Sequence, residues 1–390
     1  MKLRRLTLLV AAALLASGAT IAAEDEEITH KIPPGYVPEE ARDEQGLWLE
    51  LKDAERNLNK SALLIRNNEV NAYINEIVCR VAGPYCNDLR VYVIRNPNFN
   101  AMMTATGMMQ IWTGLIIRAG SSDEIAAVVG HEIAHYTRLH SLQRLRDIKK
   151  KMAAGVFFDI ALIALAGVDA PVGQLTAQLS ALAFSREQET EADVLGMKLL
   201  ADASYDPHGS YTVWENLIAE DEAAAAKRED PGMFGKTHPE SKNRASYLKA
   251  LVISRYGQPD QEKLADQKLL NVLNANYLML MEDQLDTNRF GRTQDLLERH
   301  AEIGVDPSLV RYFYGEMFRQ RGAEGDRELA KAAYRHSIEG GNAPPGVYKN
   351  LGYLLLKDGD TAAAKDNFRT YLELNPDASD RAMIEFYLEE

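Results

Sequence analysis

Residues 123–135 restrict the folds open to this chain more than any other segment, because two histidines in it can serve one metal ion only from a helix. His131 and His135 are four residues apart. On an α-helix they therefore lie about 40° apart around the axis, with Glu132 beside them. The letters His-Glu-Ile-Ala-His form an H-E-x-x-H zinc signature. Apolar residues in the preceding turns predict that this helix is part of the core.

The acidic run at residues 185–193 is the candidate source of a third ligand, which a tetrahedral catalytic zinc needs beside an open position for water. Glu189 and Asp193 share one helix face. Glu189 would bind the metal, and Asp193 would accept a hydrogen bond from a ligand imidazole. Spacing alone leaves Glu187 and Glu191 as alternative ligands. Without the histidine pair, the whole run would be interpreted as a solvated helix face.

Three motifs together resemble the M48 family of zinc metallopeptidases, in order and in separation. They are H-E-x-x-H at 131–135, E-x-x-A-D at 189–193, and Thr237-His238-Pro239 followed by Arg244, and the resemblance covers roughly residues 45–250. The resemblance implies that Glu189 is the third ligand. It also implies that His238 faces the metal, as an oxyanion stabiliser or as an occupant of the open coordination position, and that Arg244 supports the same wall. The alternative for His238 is a surface histidine before a helix.

The site chemistry predicts one Zn²⁺ per chain, bound by His131, His135 and Glu189. Glu132 would then be the general base that takes a proton from water and passes it to the leaving nitrogen. His140 is predicted to point away from the metal, because a continuous helix would place it about 140° around the axis from His135. The remaining histidines have no ligand spacing.

Hydrophobic periodicity predicts an α+β fold that is predominantly helical. Helical patterns cover 47–58 and 68–82, and helix dominates from 122 onward. Residues 89–94 and 108–112 predict two short strands around a loop. Strand 108–112 is predicted to bind an extended peptide at an open sheet edge, the alternative being that it is simply buried.

The chain is expected to divide at the linker 257–260 into a zincin-type metallopeptidase domain with a small sheet, 24–256, and an all-α domain, 262–390. The second part shows weak self-similarity with the 34-residue tetratricopeptide pattern, in about three units. Gly352 and Phe368 belong to one copy, and Gly315 and Tyr334 to the copy before it. In this pattern small residues let paired helices approach while aromatic rings fill the gap. The alternative is a plain helical bundle.

Residues 1–23 have the basic start, short apolar stretch and small-residue end of a secretory signal peptide, the alternative being an uncleaved anchor. Its removal would take away three positive charges and change the net charge from −13 to −16. This acidic balance argues against a nucleic-acid partner. In an oxidising compartment, Cys79 and Cys86 are expected to form a disulfide rather than remain as thiols or metal ligands.

The resemblance extends to the periplasmic branch of the family that carries tetratricopeptide repeats. It implies a periplasmic endopeptidase that degrades misassembled outer-membrane proteins, with the repeats contacting the barrel assembly machinery. The alternative function is a repeat-based chaperone or adaptor with a latent peptidase site. Residues 152–168 form an apolar stretch with Asp159 near its middle. A core or covering helix is favoured there over a membrane span, and peripheral membrane contact is the remaining alternative.

Overall fold

The computed structural model describes residues 29–38, 42–153, 184–226, 241–260 and 266–389. The predicted signal peptide, His238 and nearly all of the apolar stretch 152–168 lie outside these ranges. In the described residues, no helix is both long enough and apolar enough to cross a membrane.

Helices make up most of the fold, which confirms the predicted class, a mainly helical α+β protein. In the first part of the chain they are α1 (Arg42–Leu58), α2 (Asn68–Ala82), α3 (Thr113–Arg118), α4 (Ser122–Thr137), α5 (His140–Ala153), α6 (Arg186–Asp202), α7 (Gly209–Ala226) and α8 (Ser241–Tyr256). In the second part they are α9 (Gln267–Leu285), α10 (Phe290–Ile303), α11 (Pro307–Arg321), α12 (Asp326–Glu339), α13 (Gly346–Lys357), α14 (Thr361–Leu374) and α15 (Arg381–Glu389).

A three-stranded sheet follows α2 in the chain and packs against α2, α3 and α4. Its strands are β1 (Arg90–Ile94), β2 (Ala101–Met103) and β3 (Met108–Trp112), in the order β1-β3-β2. β3 runs parallel to β1 and antiparallel to β2. It is therefore the central strand and is buried along its whole length, so the prediction that it is an open edge is wrong. The strand that covers it, β2, has only three residues and is too short for a periodic signal.

The two outer edges of this sheet differ. Residues 63–65 pair with β1 through hydrogen bonds from Ile65 N to Val93 O, at 2.8 Å, and from Arg95 N to Leu63 O, at 2.7 Å. Within the described ranges no strand pairs with the outer edge of β2, which packs beside α4. β2 thus packs against the helix that carries both motif histidines.

A disulfide between Cys79 and Cys86 joins the last turn of α2 to the 3₁₀ turn Gly83–Asp88, as predicted. α2 also begins where its sequence indicates. The side chain of Asn67 accepts hydrogen bonds from the backbone of Glu69 and Val70 and caps the helix. These two local features fix a helix that packs directly against α4.

The C-terminal helices form successive antiparallel pairs with one recurring contact. α11 packs on α12 and α13 packs on α14. A Cβ on Gly315 would lie 2.3 Å from the ring of Tyr334, and a Cβ on Gly352 would lie 2.6 Å from the ring of Phe368. In both pairs an aromatic ring of the second helix thus packs against a glycine of the first.

Candidate metal centre

The site is built where α4 crosses α6, and two glycines set the separation of these helices. A Cβ on Gly130 would lie 2.8 Å from the carbonyl oxygen of Gly196, and a Cβ on Gly196 would lie 2.7 Å from the backbone nitrogen of His131. Neither position has room for a larger side chain. The close approach brings the inward-facing side chains of the two helices within bonding distance of a shared ion.

Three buried side chains converge at this crossing. His131 and His135 of α4 have their Nε2 atoms 3.0 Å apart. Glu189 of α6 places its carboxylate oxygens 3.5 Å from Nε2 of His131 and 3.6 Å from Nε2 of His135. Within the described ranges, these residues form the one group of three or more histidine, cysteine or acidic side chains close enough to bind a metal ion.

This triangle of donor atoms fits a zinc ion. Zinc bonds of 2.0–2.1 Å in a tetrahedron put neighbouring ligand atoms about 3.3 Å apart, close to the separations found here. Two imidazole nitrogens and one carboxylate are also a donor set typical of catalytic zinc sites, which keep the fourth position open. Glu132, the next residue after the first histidine, is buried on the same helix.

Asp193 lies one turn beyond Glu189 and faces the first histidine. Its Oδ1 atom is 3.0 Å from Nδ1 of His131, and it receives two hydrogen bonds from Arg244 of α8, at 2.5 and 3.0 Å. Burial alone would raise the pKa of Asp193, but Arg244 and His131 outweigh it and lower this pKa to about 2. Asp193 is therefore an ionised acceptor directly behind His131.

Arg244 connects the acidic side of the site to a third helix. Its Nη1 atom lies 3.0 Å from Glu189, and its guanidinium stacks over the ring of Trp214 at 4.3 Å. One arginine thus contacts both Glu189 and Asp193. His238, the other residue implied there, lies outside the described residues.

His140 was predicted to point away from the metal, and this prediction is wrong. α4 ends at Thr137, Leu139 adopts a left-handed conformation with φ of +58°, and α5 begins at His140. The turn brings His140 back, so that its Nδ1 lies 2.8 Å from Nδ1 of His135. No glycine or proline at 138–140 signals the end of the helix, so the sequence gives no local indication of this turn.

The two alternative third ligands face elsewhere. Glu187 is exposed. Glu191 accepts hydrogen bonds from Arg138, at 2.7 and 2.9 Å, and lies 3.2 Å from Nε2 of His140. Of the three glutamates in the acidic run, Glu189 is therefore the one beside both histidine Nε2 atoms.

Comparisons with known proteins agree with this geometry. The profile of peptidase family M48 matches residues 64–252. The mitochondrial metalloendopeptidase OMA1 of Schizosaccharomyces pombe is 32% identical over 179 residues, which is 44% of this chain and 50% of that protein. The β-barrel assembly-enhancing protease of Escherichia coli K12 is 26% identical over 268 residues, 64% of this chain and 53% of that protein. This chain thus spans about half the length of these curated relatives.

Proposed function

Residues 64–252 form a domain of peptidase family M48, and on this premise we propose that the protein is a zinc-dependent endopeptidase. The observation that supports it most directly is the buried triangle of His131, His135 and Glu189 with Glu132 on the same helix. When bound, zinc would polarise the scissile carbonyl and lower the pKa of its water to about 7.

The chain's own residues divide the remaining work. Glu132 takes the proton from the attacking water and returns it to the leaving nitrogen, as a general base and then a general acid. Asp193 and Arg244 keep His131 and Glu189 oriented. Because these groups are buried, their charges act in surroundings that exclude most water, where electrostatic interactions are stronger.

The substrate is proposed to bind as an extended chain along the outer edge of β2. An unpaired edge offers backbone hydrogen bonds that do not depend on sequence, which suits unfolded segments or loops. The position of β2 beside α4 supports this choice. In this proposal β2 takes the role of substrate-binding strand that the sequence pattern assigns to β3.

We further propose that the clients are misfolded or misassembled envelope proteins, that the protein works in the periplasm, and that α9–α15 act as tetratricopeptide-like repeats toward the barrel assembly machinery. The support is the likeness to the β-barrel assembly-enhancing protease, the repeated helix pairs and the disulfide, which suits an oxidising compartment. Another relative of comparable similarity is a mitochondrial protein, so the compartment has to be tested separately. The test is fractionation of cells that express the full chain.

The catalytic proposal is tested by replacing Glu132→Gln, which keeps the size of the side chain but removes the base. The variant is expected to retain one zinc per chain, measured by mass spectrometry, and to cleave casein and an unfolded barrel protein 10²–10⁴-fold more slowly, the usual range for losing a general base. Glu187→Gln, an exposed change in the acidic run, serves as the matched control and should cleave normally. Equal rates for Glu132→Gln and wild type would overturn the proposal.

A further inference from the structure

The second motif histidine has a set of supporting contacts that the catalytic proposal does not use. From the geometry we propose that His140 is a positioning residue, which fixes the tautomer and the orientation of His135 with the help of Glu191 and Arg138. The inference rests on the proposed zinc site and deepens it.

The chain of contacts that runs from His135 through His140 to Glu191 determines which ring nitrogen of each histidine carries a proton. If Nε2 of His135 binds the metal, its proton must be on Nδ1, which then donates to Nδ1 of His140, 2.8 Å away. A neutral His140 that accepts at Nδ1 carries its own proton on Nε2. That nitrogen faces Oε2 of Glu191 at 3.2 Å, an acceptor in the right place. The N–H groups of His135 and His140 therefore each have one acceptor.

Arg138 holds the outer end of this chain. Its Nε and Nη2 atoms both donate to Oε2 of Glu191, at 2.9 and 2.7 Å, and its Nη1 atom donates to the carbonyl of Thr29 at 2.8 Å. Arg138 and His140 are on either side of the left-handed Leu139, so the turn that ends α4 brings both to the same carboxylate. The left-handed conformation of Leu139 therefore allows Arg138 and His140 to bond to the same carboxylate.

The two histidine ligands are supported in parallel ways. His131 hydrogen-bonds through Nδ1 to a carboxylate, Asp193, which an arginine holds. His135 reaches a carboxylate and an arginine by the same atom, but through the intervening imidazole of His140. The ring of Phe184 also stacks on His135, at 3.9 Å between centroids and 19° between planes. The ring of His135 is therefore contacted on its face by Phe184 and at its edge by His140.

The test compares His140→Leu, which removes the acceptor, with His140→Asn, whose amide oxygen can replace Nδ1. Zinc affinity of the full chain is measured by competition with a chelating dye, and the visible spectrum of the Co²⁺-loaded protein reports ligand geometry. His140→Leu is expected to bind zinc about 10- to 100-fold more weakly and to shift the Co²⁺ bands, as for other losses of a partner behind a metal ligand. His140→Asn should recover most of the affinity. His336→Leu, an exposed histidine on α12, is the matched control.

The outcomes separate this inference from the proposed function. If wild type binds no zinc, the proposed function fails. If wild type binds one zinc and His140→Leu binds it equally well with an unchanged Co²⁺ spectrum, the positioning role alone is overturned. Should His140→Leu not fold, Glu191→Ala decides, because the side chain of Glu191 is one-third exposed. Weaker zinc binding by this variant supports the chain of contacts, and wild-type affinity refutes it.

Discussion

Asp193 and Arg244 form an ion pair that is buried on both sides, with side-chain exposures of 4% and 8%. Removing two charges from water is costly, and this cost is recovered only while both partners are present and hydrogen-bonded. Here the arginine is also close to Glu189, so the loss of one carboxylate leaves its charge only partly compensated. Breaking the pair by removing one partner is therefore expected to destabilise the folded protein and to release His131 from its hydrogen bond.

Replacing Asp193→Asn is expected to lower the free energy of unfolding by about 3 kcal/mol, because it leaves a buried arginine without its main counter-charge. The measurement is urea unfolding of the zinc-free protein. Asp202→Asn, an exposed change on the same helix, is the control and should alter stability by less than about 0.5 kcal/mol. A similarly small effect of Asp193→Asn would mean that the buried pair is energetically neutral.

Residues whose relative positions follow from helix geometry could be placed from the sequence. His131, Glu132 and His135 lie within one continuous helix, so their spacing gives their relative positions. The choice of Glu189 came from the family resemblance, since spacing alone left three glutamates. The position of His140 could not be predicted, because it depends on a left-handed residue, Leu139, whose type does not favour that conformation.

At the scale of elements, the crossing of α4 and α6 determines whether the ligands meet. Gly196→Ala would place a methyl group 2.7 Å from the backbone nitrogen of His131, where no flexible side chain can move aside. The helices must separate, so we expect zinc affinity to fall at least about tenfold, comparable to other losses of support around a metal ligand, and stability to fall by about 1–3 kcal/mol. Chelator competition and thermal unfolding measure the two effects.

Gly46→Ala provides the comparison, because Gly46 is also helical and has open space around its Cβ position. Alanine there should leave zinc binding unchanged and stabilise the protein by up to about 1 kcal/mol. If Gly196→Ala behaved like Gly46→Ala, the proposed role of the close helix crossing would be wrong.

The predictability of elements followed their length. α2 was predicted at its observed bounds, Asn68–Ala82, because its fifteen residues carry an amphipathic period. β3 was placed correctly in the sequence, but its position within the sheet was not. That position depends on β2, whose pairing is a long-range contact without a local pattern.

At the scale of the molecule, a buried cluster of charges joins the first part of the chain to the second. Glu220 of α7 is fully buried and lies between three arginines, Arg118 of α3 and Arg292 and Arg299 of α10, at 2.9–3.2 Å. Such a cluster requires all partners to be in place at once. The junction therefore favours one relative position of the helix pairs and the M48 domain, which neither the linker nor the repeat pattern could have predicted.

A second contact across the junction reaches α4, the helix that carries both motif histidines. Asp266 caps α9 by accepting from Leu269 N at 3.1 Å, and its other oxygen accepts from Ser122 N at 2.6 Å, in the first turn of α4. One carboxylate thus accepts hydrogen bonds at the N-termini of two helices, the first C-terminal helix and the helix that carries both motif histidines. Any displacement of α9 would remove a negative charge from a helix end that it stabilises.

His300 is a buried titratable residue at this junction, and we expect it to make the stability of the junction depend on pH. It is buried on α10, with Nε2 2.7 Å from the carbonyl of Ile117 and Nδ1 2.7 Å from the hydroxyl of Tyr277. Burial, reinforced by Arg299 and Arg118, lowers the pKa of His300 to about 3. A histidine in the unfolded chain takes up its proton near pH 6.5. The stability from this residue is therefore complete above about pH 6.5 and is lost as the pH falls toward 3.

Between pH 7.5 and 5.0, His300 should reduce the free energy of unfolding by about 2 kcal/mol. Urea unfolding at the two pH values is compared for wild type and His300→Gln, whose amide can still donate to Ile117 but does not titrate. The wild type should lose about 2 kcal/mol more than this variant, whereas His336→Gln, at an exposed position, should follow the wild type. Equal losses for wild type and His300→Gln would show that His300 does not couple this junction to pH. A difference of the expected size would mean that acidification destabilises the folded protein through a buried histidine at the junction between the two parts of the chain.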